Sequence, residues 1–415
     1  MKIAIIGTGI SGLGAAYLLQ GGHDIVVYEP NTYIGGHSRT IDVRNGDRTV
    51  PVDTGFIVFN HRNYPHLTGM FRHLGVETIP SNMSFGASIA DGWLEYGSMG
   101  MFAQKKNILR PQFWGMLKDI LRFNRQALSF IEGRPEITLR QCMEQMKMGD
   151  WFKRYYLQAM GAAIWSCSVE TILDYPAQTF LRFFENHGLL TVNQQPQWYT
   201  VKGGSREYVS KITAGFRDKI RLSCAATRVR RIEGGVIVED SRDGQETFDQ
   251  VIFACHADTA LRLLGDADEA ERNILGAFGY QKNKVIVHND LSFMPQHRKC
   301  WSSWVYLTEE EKDRRPVVSL SYWMNNLQGL QTEKPLIITL NPGRRPAENL
   351  ILDEHEFDHP VFTLAAINAQ KRIGEIQGRG RTWYCGAYQR YGFHEDGLMS
   401  AVAVAEKIGA TVPWM

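Results

Sequence analysis

The sequence predicts an α/β fold with a doubly wound parallel sheet, and three observations support this prediction. A β-branched run at residues 2–6, KIAII, leads directly into the glycines of GTGISG. Small and apolar residues then continue in a helical pattern, and a second apolar run, HDIVVYE, ends at Glu29. Because a strand, a glycine-rich turn, a helix and a second strand ending in an acid form the βαβ unit that binds dinucleotides, we expect a Rossmann-like domain.

The glycine-rich turn fits the pattern GxGxxG, with Gly7, Gly9 and Gly12 at the three glycine positions. In this pattern the first glycine makes the tight turn and the second lets the backbone approach a pyrophosphate. The third lets helix and strand pack closely. Ile10 and Ser11 open the helix, whose unpaired N–H groups and positive dipole end attract phosphates. We therefore expect all five residues to bind the cofactor.

Glu29 stands 17 residues after Gly12, near the position where dinucleotide-binding sequences carry an acid. A carboxylate there accepts hydrogen bonds from both hydroxyls of the adenosine ribose. It would also repel a 2′-phosphate, since two anions would then face each other. The βαβ unit therefore predicts NAD or FAD and leaves the choice between them open.

A second group of glycines follows this acid in EPNTYIGGHSRT. Here the chain resembles the flavoprotein superfamily of amine oxidases, phytoene desaturases and protoporphyrinogen oxidases, in which Gly-Gly-Arg-Thr/Ser follows the acid at this spacing. The resemblance implies that FAD is the cofactor, with Gly35, Gly36 and the Ser38 hydroxyl on the phosphate side. His37 stands where the family usually has arginine, and Arg39 is expected to take the cationic role.

Residues 50–60, VPVDTGFIVFN, carry the same resemblance. They are similar to the superfamily segment in which an Asp-x-Gly turn passes beside the flavin ring. The resemblance implies that Gly55, Phe56 and Ile57 contact the flavin.

Residues 381–409, RTWYCGAYQRYGFHEDGLMSAVAVAEKIG, are similar to the C-terminal signature of the superfamily. The resemblance implies that the region of Gly386 holds the ribityl chain. It also implies that the helix opening at Asp396, Gly397 and Met399 directs its N-terminus at the flavin, where a positive end stabilises the anionic reduced ring. Ala387 departs from the family pattern, which normally has an acid directly after the first glycine.

The nucleotide-binding domain is expected to be discontinuous. Alternating strands separated by EGG and DG turns occupy residues 219–258. They are similar to the superfamily's middle segment, in which the backbone at Val229 would face the adenine. The predicted FAD-binding domain comprises 1–75, 201–265 and 376–415, and the predicted α+β substrate domain, with a mixed sheet and helices, comprises 76–200 and 266–375.

Composition excludes several classes of function. The 415-residue chain has a net charge of only +2, which argues against nucleic acid as a partner. Its six cysteines are scattered without a CxxC pair or metal-ligand spacing, so we expect no metal and a reducing cytoplasm. No apolar run approaches the roughly 20 residues that span a bilayer.

The segment YGFHEDG supplies the first catalytic candidates. When a flavin takes a hydride, a partner must accept or exchange one proton. His394 is the first candidate and Tyr391 the second, and His394 could instead hydrogen-bond a ring carbonyl. His288 is the third, although the alternating residues around it favour a strand on whose edge it pairs with Asp290.

Residues 104–130 combine a helical apolar face with six basic residues and a single acid, Asp119. The apolar residues are Phe113, Trp114, Leu117, Ile120, Leu121 and Leu128, and the basic residues are Lys105, Lys106, Arg110, Lys118, Arg122 and Arg125. Two interpretations remain open. The segment is either a helix lying on an anionic membrane surface, or an amphipathic helix whose apolar face packs on the core and whose basic face is exposed to solvent.

The full pattern is similar to that of bacterial flavoproteins that include enzymes acting on unsaturated or methyl-branched fatty acyl chains. It includes VDTGFIVFN, IWSCS, FFENHGLL, ACHAD and GFHEDG. MGAAIWSCS and FLRFFENHGLL either line a pocket or form ordinary helix core. The resemblance implies an FAD-dependent oxidoreductase that removes hydride from a fatty acyl chain, in the cytoplasm or at the inner face of the membrane. A soluble amine oxidase and a flavin-dependent lipid isomerase without net redox turnover remain the alternatives.

Overall fold

Five β-sheets and the helices between them organise the chain in this computed structural model, which describes residues 1–134, 136–165, 172–190, 196–309 and 317–415. The strands are β1 Lys2–Ile6, β2 Asp24–Tyr28, β3 Thr40–Asn45, β4 Arg48–Asp53, β5 Val58–Asn60, β6 Thr78–Ser81, β7 Phe85–Ile89, β8 Leu94–Gly97, β9 Trp198–Val201, β10 Ile220–Arg221, β11 Ala226–Ile232, β12 Gly235–Asp240, β13 Gln245–Phe248, β14 Gln250–Phe253, β15 Gly279–His288, β16 Trp304–Glu309, β17 Val317–Trp323, β18 Ile337–Leu340, β19 Ile351–Val361 and β20 Thr382–Tyr384.

The α-helices are α1 Ile10–Leu19, α2 Pro65–His73, α3 Pro111–Ile131, α4 Leu139–Gln145, α5 Asp150–Phe152, α6 Gln158–Trp165, α7 Ala177–Asn186, α8 Arg206–Thr213, α9 Ala257–Leu263, α10 Glu269–Leu275, α11 Met324–Leu327, α12 Leu364–Arg372 and α13 His394–Ile408. A π-helical turn at Lys153–Leu157 joins α5 to α6.

The first sheet has the order β10-β2-β1-β14-β20, and all its strands are parallel. Successive side chains of a strand point to opposite faces, so each face needs its own cover. Ile3 and Ile5 pack on the side of α1 and α13. Ala4 and Ile6 pack on the side of β11–β13 and the helices α9, α10 and α12. This doubly wound arrangement confirms the predicted fold class.

The second large sheet is mixed, with the order β19-β15-β18-β17-β16-β7-β8. Its pairs are antiparallel except for β16 and β7, which run parallel. Helices α3, α4 and α7 share a core with β7 and β8. The long strands β15 and β19 pair from Gly279 to His288, and both line the same cavity as Ile6 and Ala254 at the ends of β1 and β14. We propose that the two sheets belong to the two predicted domains, with the predicted boundaries.

Helix α3 occupies most of the basic amphipathic segment. Its buried face, Phe113, Met116, Ile120, Phe123 and Ala127, packs into the core, as the core-facing interpretation predicts. None of the helices in the described ranges is long and apolar enough to cross a membrane.

Candidate functional site

A single cavity of about 1600 Å³ connects the glycine-rich loop with helix α3. Gly7, Gly9 and Ser11 line it at the nucleotide side, and Leu117 and Leu121 line it at the α3 side. Pockets for one small ligand usually measure about 300–1,000 Å³. This cavity therefore has room for a cofactor and a substrate together.

The glycine-rich loop has the shape that a bound pyrophosphate requires. Gly7 adopts a φ of +107°, which favours glycine. A Cβ atom on Gly12 would lie 1.9 Å from the Gly7 carbonyl oxygen, so helix α1 can approach the loop only through glycine. A Cβ atom on Gly9 would meet no atom within 4 Å, because this position opens into the cavity. The loop thus leaves free the space that a phosphate would fill.

Glu29 lies at the end of β2 and is almost fully buried at the cavity wall. Its carboxylate accepts hydrogen bonds from the backbone N–H groups of Thr8 at 3.0 Å and Asn31 at 2.9 Å. It also accepts from the Thr8 hydroxyl and the Asn31 amide. The two backbone donors hold the carboxylate, whereas the two side chains can rotate away. Ribose hydroxyls can therefore replace these two donors, and the site fits the adenosine of FAD.

The second glycine motif lies against the first. A Cβ atom on Gly36 would be 3.1 Å from the Gly9 Cα atom. His37 lines the cavity and its Nε2 atom is buried without a hydrogen-bond partner, although it stacks on Phe357 at 4.6 Å. Burial and neighbouring histidines hold the pKa of His37 well below its usual range. An unpaired imidazole nitrogen at this position can bind a polar group of the cofactor. Gly35, with a φ of +128°, shapes this turn and does not line the cavity.

Arg39 does not lie at the cavity, contrary to its expected cationic role on the phosphate side. Its guanidinium forms a two-point ion pair with Asp353, at 2.7 and 3.0 Å. Ser38 does not line the cavity either, and its hydroxyl forms hydrogen bonds with Tyr208 and His394. These two residues therefore support the site from behind.

Strand β19 contributes histidines that sequence reasoning missed. His355, Phe357 and His359 occupy alternate positions of one strand face and line the cavity, where His256 joins them. The sequence signal was the alternation in EHEFDHP. It marks one face of a strand, but only the pairing of β19 with β15 reveals that this face is turned to the cofactor.

The tautomer of His359 follows from a chain of hydrogen bonds. The backbone N–H of Lys284 donates to Asn341 Oδ1 at 2.9 Å, and Asn341 Nδ2 donates to Asn283 Oδ1 at 2.7 Å. Asn283 Nδ2 then donates to His359 Nδ1 at 2.8 Å. A backbone N–H can only donate, so it fixes both amide orientations. Neutral His359, whose pKa burial lowers to about 4, must therefore carry its hydrogen on Nε2.

The predicted flavin-side residues Gly55, Phe56 and Ile57 all line the cavity. A Cβ atom on Gly55 would lie 2.1 Å from the His37 carbonyl oxygen, so this crossing requires glycine. Phe56 stacks on His394 with a ring distance of 3.8 Å. Together with Gly386, which also lines the cavity, these residues form the wall that we call the flavin-side wall.

His394 begins helix α13 and lines the same wall. Its Nε2 atom lies 2.9 Å from the Ser38 hydroxyl and 3.0 Å from the Tyr208 hydroxyl. Burial lowers the pKa of His394 to about 3, so the ring is neutral. The predicted candidate Tyr391 lies on the cavity wall in the preceding loop.

The two acids at the start of α13 hold other segments in place. Asp396 accepts from the backbone N–H groups of Tyr391 and Phe393, and burial raises its pKa to about 6. Glu395 accepts from the N–H groups of His66 and Leu67, in the first turn of α2, and burial raises its pKa to about 7. Asp396 therefore shapes the loop beside the cavity and does not line it.

Gly397 and Met399 likewise lie behind the cavity wall. A Cβ atom on Gly397 would be 2.8 Å from Ile10 Cγ2 and 2.9 Å from Ser11 Oγ. The N-terminal turns of α13 and α1 are thus packed together at this glycine. The Met399 sulfur accepts from Arg390.

Two predicted residues lie elsewhere. His288 is fully buried in the second sheet, where it bonds Thr339 at 2.8 Å and accepts from the backbone N–H of Asp290. Strand β15 lies between β19 and β18, so His288 lies inside the sheet and not at its edge, and the Asp290 carboxylate bonds Ser292 instead. His288 does not line the cavity, which removes it from the catalytic candidates. Val229 pairs with Val238 and its carbonyl accepts from Gly265, so its backbone is not turned to the cavity. Residues 225–227 line the cavity instead.

Beyond the flavin-side wall the lining is mainly aromatic and aliphatic, with uncharged polar residues such as Asn82, Asn124 and Gln197 among them. It includes Met83, Phe85, Tyr96, Met99, Leu117, Ile120, Leu121, Tyr156, Met160, Ile164, Phe183, Leu189, Trp198 and Trp304. The stretches MGAAIWSCS and FLRFFENHGLL thus contribute to the lining, and residues 166–168 of the former lie outside the described residues.

Comparisons with known proteins agree with this fold. A family model described as flavin-containing amine oxidoreductase matches residues 10–332. The structure is similar to a CLA-producing fatty acid isomerase from P. acnes, with 14% identity, a TM-score of 0.69 and 98% of each chain covered. It is also similar to a cyclohexylamine oxidase from Brevibacterium oxydans IH-35A, with 17% identity, a TM-score of 0.69 and coverage of 98% of this chain and 99% of the other. At these identities the likeness shows the fold alone. No curated protein matches the chain.

Proposed function

This chain belongs to the flavin-containing amine oxidoreductase family, and we propose that its substrate is an unsaturated or methyl-branched fatty acyl chain. As an FAD-dependent oxidoreductase it would remove a hydride from that chain and so make or extend unsaturation. One observation carries the choice of substrate, namely the chemical character of the cavity beyond the flavin-side wall.

The described lining residues include three acids, and none of them lies on the aromatic and aliphatic part of the wall. Glu29 belongs to the ribose end. Glu356 and Asp358 belong to β19, and Glu356 is exposed and paired with Lys282 at 2.8 Å. An ammonium substrate taken into an apolar cavity needs a carboxylate or a similar partner, because an unpaired buried charge is costly. An acyl chain needs only apolar surface. The lining therefore favours the acyl chain over an amine.

The cofactor itself would be held by residues of the nucleotide sheet. We propose that Gly7, Gly9, Ile10 and Ser11 bind the pyrophosphate and that Glu29 binds the ribose. The bound flavin would accept the hydride, and the remaining residues of the wall would position the acyl chain and exclude water. Phe56 and His394, stacked on each other, form such a wall.

The route by which a lipid reaches the cavity is suggested by an exposed apolar surface, the α3 patch, made of Met99, Phe102, Leu109, Trp114 and Leu121. Met99 and Leu121 are both exposed and part of the cavity lining. At these two residues the patch borders the cavity. An acyl chain could pass from a bilayer into the cavity without crossing water.

Basic residues surround this patch. Lys105, Lys106, Lys118 and Arg125 are exposed, and within the described ranges none of them forms an ion pair. Trp114, Lys118, Leu121 and Arg125 recur at intervals of four and three residues, so they share one face of α3. An aromatic and cationic helix face fits an anionic bilayer, to which each well-placed cation contributes about 1 kcal/mol. We therefore propose that the α3 patch docks on an anionic membrane.

The substrate proposal is tested by anaerobic mixing of the FAD-loaded protein with two panels. One contains vesicles with saturated, unsaturated or methyl-branched acyl chains, and the other contains primary and secondary amines. We expect loss of the oxidised flavin absorbance only with unsaturated or methyl-branched lipid, and a product with one more double bond by mass spectrometry. Bleaching by an amine and by no lipid would contradict the proposal in favour of an amine oxidase. A lipid product of unchanged mass with a shifted double bond would indicate an isomerase, the activity that names one structure of this fold.

The docking proposal is tested by sedimentation with vesicles of neutral or anionic phospholipid. The double variant Lys118→Glu, Arg125→Glu removes two cations of the patch. Losing about 1 kcal/mol for each should weaken binding to anionic vesicles by at least about 30-fold. The matched control, Lys371→Glu with Lys407→Glu, makes the same charge change at exposed lysines of α12 and α13. Equal loss of binding in both variants would indicate only a net-charge effect and would contradict docking through α3.

A further inference from the structure

His187 follows helix α7 directly and turns its ring to the cavity. The ring stacks on Phe183 at 3.7 Å and lies 5.9 Å from the ring of Phe393, in the loop that leads to α13. Trp198 lies parallel to it on another side at 5.9 Å. Aromatic surfaces thus fix the plane of the imidazole beside the flavin-side wall.

The tautomer of His187 is fixed by its own helix. The Nδ1 atom lies 2.9 Å from the carbonyl oxygen of Phe183. A carbonyl oxygen can only accept, so Nδ1 carries the hydrogen. Burial lowers the pKa of His187 to about 4, so the ring is neutral and Nε2 carries a lone pair. In the described part of the chain no group donates to this Nε2 atom.

His394 differs from His187 in this respect. Its Nε2 atom faces two hydroxyls, Ser38 and Tyr208, which also bond each other. The Tyr391 phenol is held in its protonated form, since burial raises its pKa. Of these three groups, His187 combines a lone pair fixed by a backbone bond with a position on the substrate part of the cavity wall.

Resting on the proposed function, we propose that His187 is the catalytic base that accepts the proton leaving the acyl chain at its Nε2 atom. One C–H bond of the chain breaks with transfer of hydrogen and both electrons to FAD. The C–H bond on the adjacent carbon breaks with transfer of its proton to Nε2. The electron pair left behind forms the new C=C bond, so the chain is oxidised and FAD is reduced by two electrons.

A weak base suffices for this step. Departure of hydride leaves positive charge on the carbon, and the adjacent C–H bond becomes strongly acidic as that charge develops. The imidazolium that forms keeps its Nδ1–H bond to the Phe183 carbonyl, which stabilises the new charge. Low basicity also keeps the nitrogen free of a proton before the substrate arrives.

The test uses two variants that separate the two ring nitrogens. In His187→Asn the side-chain amide can still donate to the Phe183 carbonyl, as Nδ1–H does, but the basic Nε2 atom is gone. His187→Ala removes both the donor and the base. We expect His187→Asn to retain bound FAD and the wild-type melting temperature. Its anaerobic flavin reduction by unsaturated lipid should fall about 10²–10⁴-fold, the usual contribution of a positioned base. The control His73→Asn changes an exposed histidine on α2 and should leave the rate unchanged.

Added imidazole should partly restore His187→Ala, with a rate that follows the concentration of neutral imidazole. A merely structural histidine would give no such dependence. Wild-type rates of flavin reduction in His187→Asn would overturn the proposal.

Failure of the substrate proposal is distinguishable from failure of this one. If an amine and no lipid reduces the wild-type flavin, the same variants are measured with that amine, and the same outcomes decide the role of His187. The ¹⁵N chemical shifts of the His187 ring, assigned by difference from His187→Asn, give an answer without any substrate. We expect an unprotonated Nε2 at neutral pH, and a protonated Nε2 would overturn the proposal.

Discussion

Substitution of two glycines in the same loop should affect two different properties, cofactor binding for Gly9 and protein stability for Gly12. Gly9 has a φ of −64°, which any residue adopts, and a Cβ atom there would enter the open cavity. Gly12 offers the opposite case, since its Cβ atom would lie 1.9 Å from the Gly7 carbonyl oxygen. Gly9→Ala and Gly12→Ala therefore add the same methyl group in two different places. In Gly9→Ala it enters the space of the ligand, and in Gly12→Ala it clashes with the protein backbone.

For Gly9→Ala we expect an apoprotein as stable as the wild type. A poorer helix cap, costing a few tenths of a kcal/mol to about 1 kcal/mol, is offset by the lower entropy of the unfolded chain. FAD binding should weaken, because the methyl group holds the pyrophosphate away from backbone donors. Hydrogen bonds to a charged acceptor contribute about 1.5–3 kcal/mol, so the Kd should rise about ten- to hundred-fold.

For Gly12→Ala we expect the apoprotein itself to lose stability. Overpacking of this kind costs about 1–3 kcal/mol, and the clash is with backbone that cannot rotate away. The assays are urea unfolding of the apoproteins and FAD titration followed by flavin fluorescence. The reasoning would be refuted by wild-type FAD affinity in Gly9→Ala, or by equal destabilisation of both apoproteins.

Three other changes have defined outcomes. Glu29→Ala should lose most of its FAD in a folded protein, with a Kd about ten- to hundred-fold higher by the same titration, and unchanged occupancy would contradict the ribose assignment. Glu395→Gln removes a carboxyl whose pKa burial raises from 4.5 to about 7. A raised folded-state pKa gives stability that is lost as the pH rises. Between pH 4.5 and 8 the free energy of unfolding of the variant, measured with urea, should therefore rise by about 3 kcal/mol relative to that of the wild type. The control Glu406→Gln, at an exposed position, should show no such rise. His288→Ala breaks buried hydrogen bonds, so the free energy of unfolding should fall by about 1–3 kcal/mol while the rate of flavin reduction stays at the wild-type value. A slower rate at full FAD occupancy would restore His288 as a catalytic candidate.

The features that the sequence predicted well are local. The strand, glycine turn, helix and acid of the βαβ unit occupy 28 consecutive residues from 2 to 29, so their spacing alone defines the geometry. Gly55 and Gly386 were predicted through their resemblance to family segments, and both line the cavity. Helix α3 was predicted from its apolar period, although that period alone could not tell which apolar residues are buried and which form the exposed patch.

The features that were missed depend on pairing between distant segments. Arg39 finds its partner 314 residues away in Asp353, so an apparent phosphate ligand becomes an ion pair. The histidines of β19 reach the cofactor side only because β19 pairs with β15. The error at Val229 has a nearer cause. Strand β11 starts at Ala226, and residues 225–227 at this start line the cavity. Three residues further along the strand, the backbone N–H of Gly265 donates to the Val229 carbonyl, so the Val229 backbone is turned away from the cavity.

The contacts of α13 have a consequence for the order in which the protein is made. Strand β20 completes one edge of the parallel sheet, and Glu395 on α13 caps the first turn of α2. The ribosome adds Thr382 some 370 residues after Gly12, which at about 5–20 residues per second takes roughly 20–70 seconds. Throughout that time the nascent chain carries a finished glycine loop, but its cavity wall lacks Gly386, Tyr391 and His394. We therefore expect flavin to bind only after residue 382 has been added, and we expect a chain interrupted before residue 382 to carry the nucleotide fingerprint yet remain colourless.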